Sequence, residues 1–154
     1  MQGAPQVIQV LNVRLSEELA AINQYIVHAS MLENWGYDKL AAYVMARAKT
    51  EMKHAEMLID RILFLEGTPI VEVLGSINIG AAVCEQLSAD AASERAAVDR
   101  YNASISVARD NADNGTRELF EAILKDEEVH LNDLEAKMAQ VSQVGVQLFL
   151  TTQV

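Results

Sequence analysis

Cysteine occurs once in this chain, as Cys84, and proline only twice. A lone thiol cannot close an internal disulfide, build a four-thiolate zinc site or hold an iron–sulfur cluster. It suits a reducing compartment. Glycine is scarce too, at 7 residues in 154, which excludes collagen-like chains and leaves few of the turn residues an all-β protein needs. Basic side chains number 12 against 22 acidic ones, for a net charge of −10. Nonspecific nucleic-acid binding requires Lys and Arg to displace counterions, so that class is disfavoured. Cations are the favoured partners instead. No apolar run approaches the ~18 residues of a membrane span. The opening MQGAPQVIQV lacks the basic and apolar regions of a secretion signal. The expectation is a cytoplasmic protein, one domain over residues 1–154, without nucleic-acid or membrane partners.

Helix formers dominate what is present, chiefly Ala, Leu, Glu and Met. Four segments carry apolar residues at alternating four- and three-residue spacing. The first, about Pro5 to Asn34, has the stripe Leu11, Leu15, Glu18, Ile22, Tyr25, Ala29, Leu32 and ends at Trp35-Gly36-Tyr37. The second, about Asp38 to Leu65, reads Leu40, Val44, Ala48, Glu51, Ala55, Leu58, Ile62, Leu65, with Asp38 the expected N-cap. Gly67-Thr68-Pro69 stops it, and the mixed stretch that follows is too long for a turn, so it reads as a crossover. The third, about Ala82 to Arg109, reads Leu87, Ala91, Glu94, Val98, Tyr101, Ile105, Ala108. After the break at 111–115, the fourth runs from about Thr116 to Ser142 with Phe120, Ile123, Glu127, Leu131, Leu134, Met138, Val141. Val146 to Leu150 forms a short fifth element. The spacing predicts an all-α, four-helix bundle with a long crossover between helices two and three and a short C-terminal helix.

Each stripe carries one glutamate where an apolar residue belongs: Glu18, Glu51, Glu94 and Glu127. A core carboxylate is costly unless paired, protonated or bound to metal. Two of them open Glu-x-x-His pairs, Glu51 with His54 and Glu127 with His130. Spacing i, i+3 puts both side chains on one helix face. Glu18, Tyr25, Glu51 and His54 also recur 76 residues later as Glu94, Tyr101, Glu127 and His130. Gly36 lies 18 residues after Glu18, with Glu51 and His54 following it by 15 and 18. A fold-back there brings the three groups within about 5 Å of one axial level, at ~1.5 Å per residue. The same holds for Glu94, Glu127 and His130.

Four carboxylates and two neutral imidazoles balance two divalent ions. Oxygen-rich ligation with one nitrogen per metal suits iron or manganese better than structural zinc. In the simplest arrangement each ion takes one terminal glutamate, Glu18 or Glu94, and one histidine, His54 or His130, while Glu51 and Glu127 bridge. This is the ligand set of di-iron and di-manganese carboxylate bundles. The blander alternative is a set of buried structural carboxylates. Tyr25 and Tyr101, two turns along the stripes, are candidates to hydrogen-bond a metal-bound glutamate. His28 falls about 80° off the Glu18 face and is expected at a surface or interface. Cys84 reads as a small apolar residue. Met52, adjoining Glu51, points out of the bundle, where it could pack at an interface or ligate a soft metal or haem iron.

Beyond the ligand pattern the chain carries AINQY (Ala21–Tyr25), NWG (Asn34–Gly36), EMKHAE (Glu51–Glu56), RILFLEGTP (Arg61–Pro69) and DEEVH (Asp126–His130). With Glu18 and Glu94, these resemble the bacterioferritin family over essentially the whole length. The resemblance implies a ferritin-like bundle with a ferroxidase di-iron centre at Glu18, Glu51, His54, Glu94, Glu127 and His130. It further implies a 24-subunit cage storing ferric mineral, haem b held across two-fold interfaces by the methionine matching Met52, and a small bacterioferritin-associated ferredoxin as electron donor. Relatives often carry His and an acidic residue on the inner face of the second helix, where this chain has Ala46 and Thr50. An iron-storage ferroxidase is therefore the expected function. The alternatives are a non-storage di-iron or di-manganese oxidase or peroxidase, and a non-catalytic helical protein that binds no metal.

Overall fold

Pro5 sits in the first turn of α1 (Pro5–Asn34), where its missing N–H leaves no intrahelical bond unmade. The computed structural model describes all 154 residues and adds α2 (Asp38–Phe64), α3 (Val83–Asp110), α4 (Asn114–Val144) and α5 (Val146–Leu150). α1 packs chiefly on α2, and α3 on α4. Gly36, at φ 84°, makes the left-handed turn between the first pair. At the second turn that conformation falls on Ala112, φ 57°, rather than on Gly115. Gly115 is instead needed for space, because a Cβ there would lie 2.7 Å from an Arg61 guanidinium nitrogen.

The crossover climbs the flank of α1, in the direction of α1, and delivers the chain to the start of α3. Its backbone is fastened at intervals: Ile70 N–H donates to Asn12 Oδ1 (2.8 Å), Gly75 N–H to Ser16 O (3.0 Å), Asn78 N–H to Gln24 Oε1 (3.0 Å) and Gly80 N–H to His28 Nε2 (3.0 Å). Helices one and four therefore run one way and two and three the other.

The apolar stripes meet as two separate clusters. One contains Leu11, Leu15, Leu58, Ile62 and Phe120, the other Leu32, Leu40, Val44, Leu87 and Leu134. Each fully buried leucine contributes roughly 1.5–3 kcal/mol. Phe149 of α5 is buried in the second cluster, so the short fifth helix closes that end of the bundle. Between the clusters lies the polar layer of glutamates and histidines.

Four expectations need correction. Asp38 is the first residue of α2 and makes no capping bond, since Tyr37 occupies the N-cap position. Cys84 is exposed, because it lies on the outward side of the first turn of α3. Met138 is exposed, as the last turns of α4 run past the cluster that buries Leu134. His28 is fully buried rather than at a surface. The crossover covers the flank of α1 on which it lies, a contact that the helical angle alone does not reveal.

Candidate di-metal site

Glu18 comes from α1, Glu51 and His54 from α2, Glu94 from α3, and Glu127 and His130 from α4. All six are buried. They form two sets of four, Glu18–Glu51–His54–Glu127 and Glu51–Glu94–Glu127–His130, with ligand-type atoms within 4.8 Å of one another in each set. Glu51 and Glu127 belong to both. The imidazole rings lie nearly parallel, with centroids 6.4 Å apart, one in each set.

Both histidines turn Nδ1 inward. His54 Nδ1 lies 2.9 Å from Glu51 and 3.0 Å from Glu127. His130 Nδ1 lies 3.2 Å from Glu51, yet the two are misaligned for a hydrogen bond. His130 Nδ1, Glu51 Oε1 and Glu127 Oε1 are thus buried polar atoms without a hydrogen-bond partner. Glu127 Oε1 sits beside His54 in the same misaligned way. Lone pairs converging with no donor between them are costly for a protein alone, and a divalent cation satisfies them. The residues present therefore fit a pair of metal ions.

The electrostatics agree. Burial drives the carboxyls of Glu51 and Glu94 well above the ordinary range, and neighbouring glutamates add to it. Glu127 is pushed up to about 7, first by burial and then by the charges of Glu51 and Glu18. For His54, burial opposes the charged form, but the surrounding carboxylates of Glu127, Glu18 and Glu51 outweigh it and raise its pKa. In the metal-free protein the cluster holds protons where ions would otherwise sit.

The two tyrosines reach across the bundle. Tyr25 on α1 donates to Glu94 on α3, and Tyr101 on α3 donates to Glu18 on α1. Each hydroxyl thus serves the carboxylate of the opposite helix and orients it. A cavity of about 210 Å³ opens between α1 and α3, with Glu18, Glu51, Glu94 and Glu127 among its walls and Ser76 and Asn78 of the crossover at its edge. Met52 stands apart from all of this, 46% exposed on the outer side of α2.

Several polar residues near the site were not anticipated. Asp126 takes His54 Nε2 at 3.0 Å, which leaves Nδ1 for the cluster. Its signal was its place in DEEVH, four residues before His130. Gln24, His28 and Asp90 form a buried network against the crossover, and Arg14 is buried beside Tyr101. Arg14 and Asp90 each stand four residues before a core glutamate, beside the stripe positions Leu15 and Ala91, where a charged residue type by itself reads as exposed.

Comparison with known proteins accords with this geometry. Residues 8–144 match the family described as Ferritin-like domain. Over 149 residues the chain is 43% identical to a bacterioferritin of Mycolicibacterium paratuberculosis, covering 97% of this chain and 94% of that one. A bacterioferritin of Streptomyces coelicolor is 43% identical over 152 residues, covering 99% and 91%. A solved mycobacterial bacterioferritin superposes with a TM-score of 0.98 at 40% identity, over 100% of this chain and 96% of the other. The Mycobacterium tuberculosis bacterioferritin superposes equally well, at 0.98 and 40%. The chain belongs to the bacterioferritin family within the ferritin-like fold, and it is an iron-storage ferroxidase.

Proposed function

We propose that Glu18, Glu51, His54, Glu94, Glu127 and His130 are the ferroxidase centre, with Glu51 and Glu127 each shared between two Fe(II) ions. The observation that carries this reading is the pair of four-residue sets joined through those two glutamates. Glu18 with His54, and Glu94 with His130, supply the unshared ligands. Bound Fe(II) supplies one electron per ion to dioxygen or peroxide. The chain's own groups do the rest. Four carboxylates against two neutral imidazoles match two divalent ions and favour the higher charge of the oxidised product. Tyr25 and Tyr101 fix the rotamers of Glu94 and Glu18, and Asp126 fixes the tautomer of His54. The acidic surface raises the local Fe(II) concentration.

In this reading the oxidised iron passes to the interior of a 24-subunit cage in the cytoplasm, and haem b with a small ferredoxin serves its release. Met52 is the residue that would hold the haem iron. Its exposed thioether would share the haem with the Met52 of another copy, and the haem would carry electrons to the stored ferric iron. Ala46 and Thr50 offer no ionisable group on the second helix; Thr50 Oγ1 donates back to Ala46 O. Iron transfer through α2 at that level therefore has no carboxylate or imidazole to use.

Iron retention tests the storage reading. Fe(II) is added in air to the metal-free protein at rising ratios, and iron is counted in the protein fraction after separation by size. Retention far beyond two ions per subunit, in a large particle, is the expected result. A plateau near two in a small species would mean a di-iron enzyme that does not store. For the haem, Met52→Leu should lose the absorbance of bound haem b in reconstituted protein.

A further inference from the structure

Arg47, on α2, is the one arginine of this chain that stands in no ion pair. Arg14, Arg61, Arg95, Arg100, Arg109 and Arg117 each face a carboxylate. With 22 acidic residues available against 12 basic ones, an arginine left without an acidic partner is out of place. Its guanidinium also lacks acceptors: Nε and Nη1 are buried, and neither has a hydrogen-bond partner. A buried donor left unpaired is costly, and a charged one more so.

Two further donors gather at the same place. The Arg47 guanidinium carbon lies 5.5 Å from the centroid of the Tyr43 ring, one turn back on α2. Lys137 reaches over from α4 and sets its ammonium 4.1 Å from the same centroid. The Tyr43 hydroxyl is itself buried without a hydrogen-bond partner. Burial pushes its pKa up to about 12, although Arg47 pulls the other way, so at neutral pH it is a donor. Asp133 lies near enough to raise Tyr43 as well, yet it pairs with neither cation. The ring face attracts both cations. It offers no lone pair to Arg47 Nε or Nη1, however, and it leaves two positive charges close together.

We infer that Tyr43, Arg47 and Lys137, on the seam between α2 and α4, form a binding site for a small tetrahedral oxyanion of the phosphate class. The planar guanidinium matches phosphate oxygens with paired N–H donors, the ammonium adds a point charge, and the phenol supplies a third donor. A phosphate group carries about −1.5 to −2 near neutral pH, which two cations balance. A carboxylate, with a single charge, would leave one of them uncompensated. Arg47 stands four residues before Glu51, so the site lies about one helical turn from the glutamate–histidine cluster and shares none of its residues. The inference does not depend on that cluster holding metal.

The test is titration of inorganic phosphate into the assembled, metal-free protein at fixed ionic strength in a phosphate-free buffer, followed by calorimetry. Saturable binding of about one phosphate per subunit is expected, with the melting temperature rising as the sites fill. Arg47→Gln and Lys137→Gln should each weaken binding at least about tenfold, the size expected for losing a charged donor. Tyr43→Phe keeps the ring and removes only the hydroxyl, so its loss should be smaller, about three- to tenfold. Lys125→Gln removes the same charge from an exposed lysine of α4 and should leave binding unchanged. If Arg47→Gln folds poorly, Arg47→Lys keeps the charge, loses the planar donors and should still weaken binding. No saturable binding by the wild type would overturn the inference and leave a stack of cations on a ring that only packs. Binding unmoved by Arg47→Gln and Lys137→Gln, or weakened as much by Lys125→Gln, would put the phosphate elsewhere and overturn it equally.

Discussion

Tyr25, on α1, donates its hydroxyl proton to Glu94, on α3, wholly inside the bundle. The bond supplies the one donor that favours the charged form of a carboxyl otherwise raised by burial. Tyr25→Phe removes that donor and frees the carboxylate to turn. Loss of such an orienting partner typically costs about 10- to 100-fold in metal affinity, and that loss should appear in a Co(II) titration of the metal-free protein. Tyr101→Phe should act in the same way on Glu18, its partner across the bundle. Unchanged affinity in both variants would mean that packing alone holds the carboxylates.

Glu18→Ala should abolish rapid Fe(II) oxidation without unfolding the subunit. Glu18 contributes one of four buried carboxylates whose mutual repulsion the metal-free protein must bear. Removing one of several like charges relieves that repulsion, which offsets the loss of the acceptor for the Tyr101 hydroxyl. The metal-free variant should therefore melt at or above wild type. A metal-free variant melting well below it would show that the carboxylate contributes to folding in its own right.

The same cluster gives the metal-free protein a distinctive pH dependence. Glu127 titrates at about 7 in the folded chain, against roughly 4.3 for an unperturbed glutamate. Glu51 and Glu94 are raised as well, and His54 also holds its proton more tightly than usual. A raised folded pKa stabilises below the unfolded value, and the effect is lost as pH rises through the folded one. The metal-free protein should melt higher near pH 5 than near pH 8. Saturating Mn(II) should flatten or reverse that slope, because metal binding displaces the protons. A metal-free melting temperature that rises from pH 5 to 8 would contradict the assignment.

The legible parts of this protein were those that broke a period. Glu18, Glu51, Glu94 and Glu127 occupy positions where the four-three spacing calls for apolar residues, and all four are buried in one polar layer. Their fold-back distances place them at one height because α-helices have a fixed rise. His28 was harder. It lies off the stripe of α1, and what buries it is a non-helical crossover whose path no periodicity encodes. Asp90 and Gln24 are hidden for the same reason, since their partners come from α1 and the crossover. Asp38 resembled a cap by residue type, but capping depends on backbone geometry, and the adjacent Tyr37 takes the position. Cys84 and Met138 are apolar side chains near helix ends, where composition does not say which side faces the bundle.

Asp113 offers an acid-side counterpart to the core glutamates. It caps α4 by accepting the Thr116 N–H at 2.9 Å and the Thr116 hydroxyl at 2.7 Å, and it takes an Arg61 guanidinium nitrogen at 2.6 Å. Arg61 also donates to Thr116 Oγ1 at 2.8 Å, so the end of α2 is tied to the start of α4. Burial alone would raise the Asp113 carboxyl, but the Thr116 and Arg61 bonds outweigh it and hold it below its usual range. Losing such a cap costs about 0.5–2 kcal/mol, and Asp113→Ala should fall in that range at neutral pH. A depressed folded pKa stabilises above the unfolded value, roughly 3.9 for aspartate, and the effect is lost as pH falls through the folded one. The melting temperatures of wild type and Asp113→Ala should therefore converge in strong acid, in the direction opposite to the glutamate effect. A gap that persists unchanged below pH ~2 would assign the loss to packing around Arg61 rather than to the charged cap.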